Sequence, residues 1–213
     1  YVAFESIATN LLGVGIDDNG FSDDFVHDRQ KGTTTRVSVE SDGDEGIGAR
    51  FNSSISSNGR YVAFESDVAF VPDSALWDIY VHDRQTKETT LASEDSVGVA
   101  GTDDSYAPSI SGDGRYVAFE SIATNLLGVG NDNNGFSDVF VHDRQMGTTT
   151  RVSVDSAGAE GILGDSSSCS ISGAGRYVAF VSAATNLVAG DGNGFTDVFV
   201  HDRDVDGNGI YDE

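Results

Sequence analysis

Cysteine is almost missing from this chain. Cys169 stands alone, so no intrachain disulfide can form, no thiolate cluster can hold a metal, and cysteine usage leaves the compartment open. Cationic side chains are scarce as well: 12 lysines and arginines face 35 aspartates and glutamates, for a net charge of −23. That balance argues against nucleic acid and anionic membrane as partners. The few arginines are moreover committed to repeated places, with Arg29, Arg84, Arg144 and Arg203 at one, Arg60, Arg115 and Arg176 at a second, and Arg36 and Arg151 at a third. No run approaches the roughly 20 apolar residues of a membrane-spanning helix, which excludes that kind of insertion, and no charged-then-apolar leader opens the chain. Nor does any segment long enough for a helix carry a 3.6-residue apolar period, which excludes a parallel α/β fold. Proline is limited to two residues against 26 glycines, a balance suited to many tight turns between short strands.

What the chain does have is repetition. Tyr-Val-Ala-Phe starts at Tyr1, Tyr61, Tyr116 and Tyr177, and Val-His-Asp-Arg starts at Val26, Val81, Val141 and Val200. Residues 1–41 and 116–156 differ only at Ile16/Asn131, Asp18/Asn133, Asp24/Val139, Lys31/Met146 and Glu40/Asp155, as a recent duplication would leave them. The third unit predicts four strands, at 107–111, 115–121, 138–144 and 148–154. Gly112-Asp113-Gly114 forms a hairpin turn between the first two, and Gln145-Met146-Gly147 joins the last two. Tyr116-Val117-Ala118-Phe119 and Val139-Phe140-Val141 are continuously apolar, as strands covered on both faces must be.

Four antiparallel strands per unit, repeated, predict an all-β fold of β-propeller blades. Residues 109–119, Ser-Ile-Ser-Gly-Asp-Gly-Arg-Tyr-Val-Ala-Phe, with Asp138-Val139-Phe140-Val141-His142-Asp143-Arg144 after them, resemble the repeat of TolB-type propellers. The resemblance covers essentially the whole chain. It departs in carrying Gly or Ser where that family has Pro, and in a longer loop from Ser121 to Ser137. It implies a fold and a binding-surface architecture, without that family's own partner.

Residues 1–203 then make about three and a half blades, with repeats starting near 1, 52, 107 and 167, and residues 204–213 form an acidic C-terminal segment. The first blade lacks its first strand and the fourth its last, and the chain opens in mid-repeat at Tyr1. A fragment or processed product of a ring of roughly six to eight blades is the expectation, with a four-bladed ring as the alternative.

Candidate chemistry divides into repeated and unrepeated residues. His27, His82, His142 and His201 share one repeat position, which favours a hydrogen-bond network inside each blade, built with the neighbouring Asp and Arg, over catalysis. Asp204, Asp206, Asn208, Ile210 and Asp212 occupy positions 1, 3, 5, 7 and 9 of a calcium loop, with Gly207 at the sharp turn. That segment resembles calcium loops of the dockerin, thrombospondin or EF-hand kind. Three blades carry a weaker version, Asp-x-Asn-Gly-x-x-Asp, at Asp17, Asn19 and Asp23, at Asp132, Asn134 and Asp138, and at Asp191, Asn193 and Asp197. These resemble FG-GAP calcium loops with the first ligand replaced by Gly15, Gly130 or Ala189, and the favoured reading of the residues is an Asx turn, with calcium binding as the alternative.

No Gly-x-Ser-x-Gly elbow occurs, and Cys169 reads as a small buried side chain. Symmetry breaks mainly in blade two, at Phe70, Pro72, Trp77, Tyr80 and Lys87. Trp77 either fills the core or anchors a partner or a sugar. The function expected from this pattern is a scaffold that binds a protein or glycan, stabilised by Ca2+ and secreted, cell-surface or periplasmic. The rival is the propeller part of a carbohydrate-active hydrolase or lyase, or of a prolyl-oligopeptidase-type peptidase.

Overall fold

A computed structural model describes residues 1–13, 16–17, 19–44, 50–67, 70 and 76–212. Gly15, Asp18, Pro72, Asp73, Ser74, Ala75 and Glu213 lie outside the described residues. Those described form four antiparallel sheets and no helix. Blade one is β1 (Val2–Ser6), β2 (Asp23–Asp28) and β3 (Thr33–Arg36). Blade two is β4 (Arg50–Ile55), β5 (Tyr61–Ser66), β6 (Asp78–Asp83) and β7 (Thr89–Leu91). Blade three is β8 (Ser105–Ile110), β9 (Tyr116–Ser121), β10 (Asp138–Asp143) and β11 (Thr148–Arg151). Blade four is β12 (Ser166–Ile171), β13 (Tyr177–Ser182) and β14 (Asp197–Asp202). Three, four, four and three strands are the three and a half blades expected from the repeat.

The strands form where β-branched and aromatic residues cluster, and each hairpin closes where the sequence supplies a turn. In blade three, Gly114 donates its amide to the Ser111 carbonyl at 3.0 Å, while Ser111 Oγ donates to Asp113 Oδ1 at 2.6 Å. The first strands lie next to one another along the ring axis: Ile110 N donates to Ser54 Oγ and Ile171 N to Ser109 Oγ, both at 3.1 Å. Their turns are linked as well, Ser57 N to the Gly112 carbonyl at 3.0 Å and Gly112 N to the Gly173 carbonyl at 2.9 Å.

Each first strand carries a bulge, and the bulged residue has a left-handed backbone: Asn52 (φ 54°), Ala107 (φ 51°) and Ser168 (φ 53°). A glutamate of the preceding blade's second strand stabilises this strained turn. Glu65 Oε2 accepts from Ala107 N at 2.7 Å, and Glu120 Oε2 accepts from Ser168 N at 2.8 Å.

A second set of contacts clamps the blades together at the opposite end. Gly59, Gly114 and Gly175 have φ near +80° and lie flat against the Tyr1, Tyr61 and Tyr116 rings of the preceding blade, where a Cβ would fall 2.1–2.2 Å from ring carbons. Over the same rings sit the guanidinium groups of Arg84, Arg144 and Arg203, at 5.1, 4.8 and 4.5 Å from the centroids. Each of these arginines also donates to the carbonyl of the adjoining glycine, at 2.6, 2.8 and 2.7 Å. The core fills the space between the blades, with Val117, Phe119, Phe140, Ile79 and Val81 of one cluster all fully buried.

Candidate functional site

The repeated His-Asp-Arg residues bond within and between blades, through a wiring the sequence does not disclose. His142 Nδ1 lies 2.9 Å from Thr149 Oγ1, which in turn donates to the Glu94 carbonyl of the preceding blade. His82 and Thr89 do the same, Thr89 Oγ1 donating to the Val39 carbonyl at 2.6 Å. Since the hydroxyl proton is used on that carbonyl, the histidine Nδ1 carries the proton of a neutral ring. Burial pushes both histidines down to about 4. They are therefore uncharged near neutral pH and poorly placed for acid-base work. Asp83 and Asp143, one residue on, point to the other face of the strand and take a two-pronged bond from Arg60 and Arg115, with shortest contacts of 2.6 Å. Arg60 holds the Asp83 carboxyl below the usual range against an opposing pull from burial; in Asp143 burial is the largest single influence and pulls upward, but the bonds from Arg115 and from the Gln145 and Met146 amides together hold it down. The expected shared network is thus three separate contacts, to a threonine, an arginine and a tyrosine clasp.

The acidic loops of blades one and three carry their own cation. Asp132, Asp138 and Glu160 converge closely enough to hold a metal ion, the one such group among the described residues. Arg151 Nη1 lies among them, 3.5 Å from Asp132, 3.2 Å from Asp138 and 2.8 Å from Glu160. A metal there would have to displace the guanidinium. Burial, and then the Asp138 charge, push Asp132 up to about 6 against the opposing pull of Arg151. In blade one, Arg36 takes the same place, 3.8 Å from Asp17 and 3.4 Å from Asp23. The asparagines shape the turn: Asn19, Asn134 and Asn193 Oδ1 accept from the amides of Phe21, Phe136 and Phe195 at 2.9, 2.8 and 2.7 Å. In blade four, Asp197 accepts from Asn193 Nδ2 at 2.8 Å, and among the described residues no arginine-bearing strand pairs beside it. Blade two has Leu91 where blades one and three have Arg36 and Arg151, and packs it in an apolar cluster with Phe64, Phe70 and Tyr80.

The C-terminal loop divides its carboxylates among different partners. Asp204 Oδ1 accepts from Gly209 N at 3.2 Å, and its other oxygen lies 3.5 Å from Arg176. Asp206 bonds Asn208, whose Oδ1 accepts from Ile210 N at 2.6 Å. Asp212 is claimed by Arg203 and by Thr150 Oγ1, the latter at 2.9 Å. Cys169 is half-buried, its thiol donating to the Ala107 carbonyl at 3.4 Å, and burial pushes it up to about 12.

An aromatic group gathers around Trp77 at the acidic-loop end of blades two and three. Phe51, Trp77 and Tyr106 form one continuous aromatic strip, with ring centroids 5.8 Å apart for Phe51–Trp77 and 6.2 Å for Trp77–Tyr106. All three are half-buried. Asp104 fixes the strip: its Oδ1 accepts from Trp77 N at 3.0 Å and its Oδ2 from the Tyr106 hydroxyl at 2.8 Å. Burial and this bond push the phenol up to about 12, so it stays protonated.

The next pair of blades keeps the scaffold and drops the rings. Asp165 accepts from Ser137 N at 2.9 Å as Asp104 does from Trp77, and Ser167 replaces Tyr106. Sequence reading singled out Trp77 but missed Phe51 and Tyr106, whose signal is visible once the first strands are aligned as Phe51, Tyr106 and Ser167. Lys87 occupies a left-handed turn (φ 71°) where blades one and three have Gly32 and Gly147, so its distinctness belongs to the turn.

No family model matches the sequence, and no curated protein matches it either. Similar solved structures do exist. TolB from Acinetobacter baumannii is 16% identical over 89% of this chain and 36% of that one, with a TM-score of 0.50. A protein from Agrobacterium tumefaciens described as a TolB is 19% identical over 87% of this chain and 54% of that one, with a TM-score of 0.52. The chain thus spans between a third and somewhat over half of their length. Among the described residues no helix is long and apolar enough to cross a membrane. With its four antiparallel sheets strung around a common axis, this chain has the fold of a TolB-type β-propeller.

Proposed function

We propose that the chain is a binding scaffold working outside the cytoplasm, and that it takes a protein or glycan at the aromatic strip. The observation that carries this reading is the strip itself: three half-buried rings in series, two of them bonded to Asp104, where blade three has Ser137 in place of Trp77 and blade four has Ser167 in place of Tyr106. Stacked rings beside fixed carboxylates suit the apolar faces and hydroxyls of a sugar, or an apolar side chain flanked by donors. The net charge of −23 directs the choice toward a neutral glycan or a neutral to basic protein loop. The acids around the strip recur in other blades, which supports binding over catalysis. Calcium enters as a stabiliser of the blade-four loop, where Asp197 bonds Asn193 as Asp138 bonds Arg151 in blade three, and of the C-terminal loop, where it would compete with Arg176 for Asp204 and with Arg203 for Asp212.

Trp77 is the only tryptophan, so its emission reports the site directly. Titration with neutral oligosaccharides and with basic peptides is expected to give a saturable shift for one of the two classes, lost in Tyr106→Ala. An unchanged spectrum across both classes would overturn the reading. For the ion, calcium is expected to raise the unfolding temperature relative to chelator at fixed ionic strength, with magnesium unable to substitute.

A further inference from the structure

Inside the molecule, one arginine clasp already holds an acid. Arg203 lies over the Tyr116 ring and takes the Asp212 carboxylate with Nε and Nη2, while Thr150 Oγ1 of the preceding blade donates to the same carboxylate at 2.9 Å. Tyr211 packs beside them, its ring centroid 5.4 Å from that of Tyr116 and 5.1 Å from the guanidinium. An arginine and a threonine from adjoining blades thus hold one carboxylate between them.

Blades two and three repeat this arrangement without the acid. Arg144 is the counterpart of Arg203, and Thr90 that of Thr150. Arg144 lies over the Tyr61 ring at 4.8 Å and donates from Nη1 to the Gly114 carbonyl at 2.8 Å, but among the described residues no carboxylate pairs with it. Thr90 is exposed. The connection after Arg144 ends in Gly147, whose left-handed backbone (φ 66°) is like that of Asp212 (φ 62°), and open space lies where its Cβ would stand. A polar cleft of about 390 Å3 opens beside Arg144, walled by Tyr61, Asp113, Gly114, Arg115 and Gln145. The acids nearby are engaged: Asp113 by Ser111 Oγ and Arg115 N, Asp83 by Arg60, and Asp143 by Arg115. Burial pulls the Arg144 guanidinium below its usual range, and Tyr61 and Asp83 offset this only in part. Neighbouring acids do not forbid an anion here, since Arg203 takes Asp212 while Asp202 and Asp204 lie beside it on Arg176. Between blades one and two the threonine is already engaged, Arg84 Nη2 donating to Thr35 Oγ1 at 3.3 Å.

We propose that Arg144 and Thr90 form a second binding site, at the end of the blades opposite the aromatic strip, which takes an aspartyl or glutamyl carboxylate of a partner protein. The guanidinium supplies a charged fork and the threonine a further donor, the same pair of groups that holds Asp212.

The probe is the acetylated and amidated peptide Gly-Ile-Tyr-Asp, the sequence of residues 209–212, in which the aspartate is the only carboxylate. It is titrated into the 213-residue protein by calorimetry at low ionic strength. Saturable binding is expected, about tenfold weaker for the same peptide ending in asparagine. Arg144→Lys, which keeps the charge and loses the fork, is expected to weaken binding to a similar degree, and Thr90→Val, at an exposed position, to weaken it less. Equal binding of the two peptides, or binding by both variants as tight as the parent's, would overturn the proposal. Acetate competing as strongly as the peptide would also overturn it, by leaving a site for small carboxylates rather than for a protein.

Discussion

Blades three and four contain the same hexapeptide in their third strands, and the protein treats the two copies differently. In β10 all six residues are buried, with Val139 and Val141 at 0% exposure. In β14 the matching Val198 and Val200 are 74% and 66% exposed. Identical local chemistry gives identical strands and opposite burial, because strand formation is local while burial depends on what lies on either side. The comparison also separates two kinds of residue. Phe199, His201 and Asp197 keep their blade-three identities although no fourth strand is seen in blade four among the described residues, so they register the repeat. Phe51, Trp77 and Tyr106 depart from it, and they gather in one place.

The comparison is broken most forcefully at the aromatic position. Phe140→Ala is expected to cost about 3–5 kcal/mol, since Phe140 is fully buried, and the half-buried Phe199→Ala about 1–2 kcal/mol, both read from denaturant unfolding. Equal costs would mean that the edge of blade four is covered in solution.

The histidines come next. An unfolded histidine titrates near 6.5, while folded His142 is held down to about 4 by burial, so the unfolded chain binds the extra proton between those values. Stability is therefore full above about pH 6.5 and falls as the pH drops toward 4. His142→Gln is expected to flatten that slope in thermal melts across the range, and His201→Gln, at a less buried ring, to flatten it less. The smallest contrast is at valine. Val139→Thr should cost about 1–2 kcal/mol and Val198→Thr less than about 0.5 kcal/mol in the same unfolding assay.

The fold was legible because the repeat writes the same strands and turns several times. Gly112-Asp113-Gly114 marked a hairpin, and the run Val139-Phe140-Val141 marked a strand covered on both faces, as β10 is. The bulges were not legible, since Asn52, Ala107 and Ser168 share no residue type that announces a left-handed backbone. Adjacency in sequence also misled: His142 and Asp143 suggested one network, but neighbours in a strand point to opposite faces and find different partners. The acidic loops resembled ion sites because their cation lies far along the chain. A signal was nonetheless present, for Arg36 and Arg151 occur in blades with the Asp-x-Asn-Gly loop, and Leu91 occurs in the blade without it.

In the proposed function, the repeated charges hold the blades together while recognition lies where the repeat fails. Its most direct test gives blade two the residue of blades one and three through Trp77→Ser, beside Asp132→Asn as the matching change in a repeated loop. Binding is then measured by calorimetry against the ligand class identified through Trp77 emission. Trp77→Ser is expected to abolish binding with the sheet spectrum intact, and Asp132→Asn to bind as the parent does. Unaltered binding by Trp77→Ser, or its loss in a folded Asp132→Asn, would contradict it.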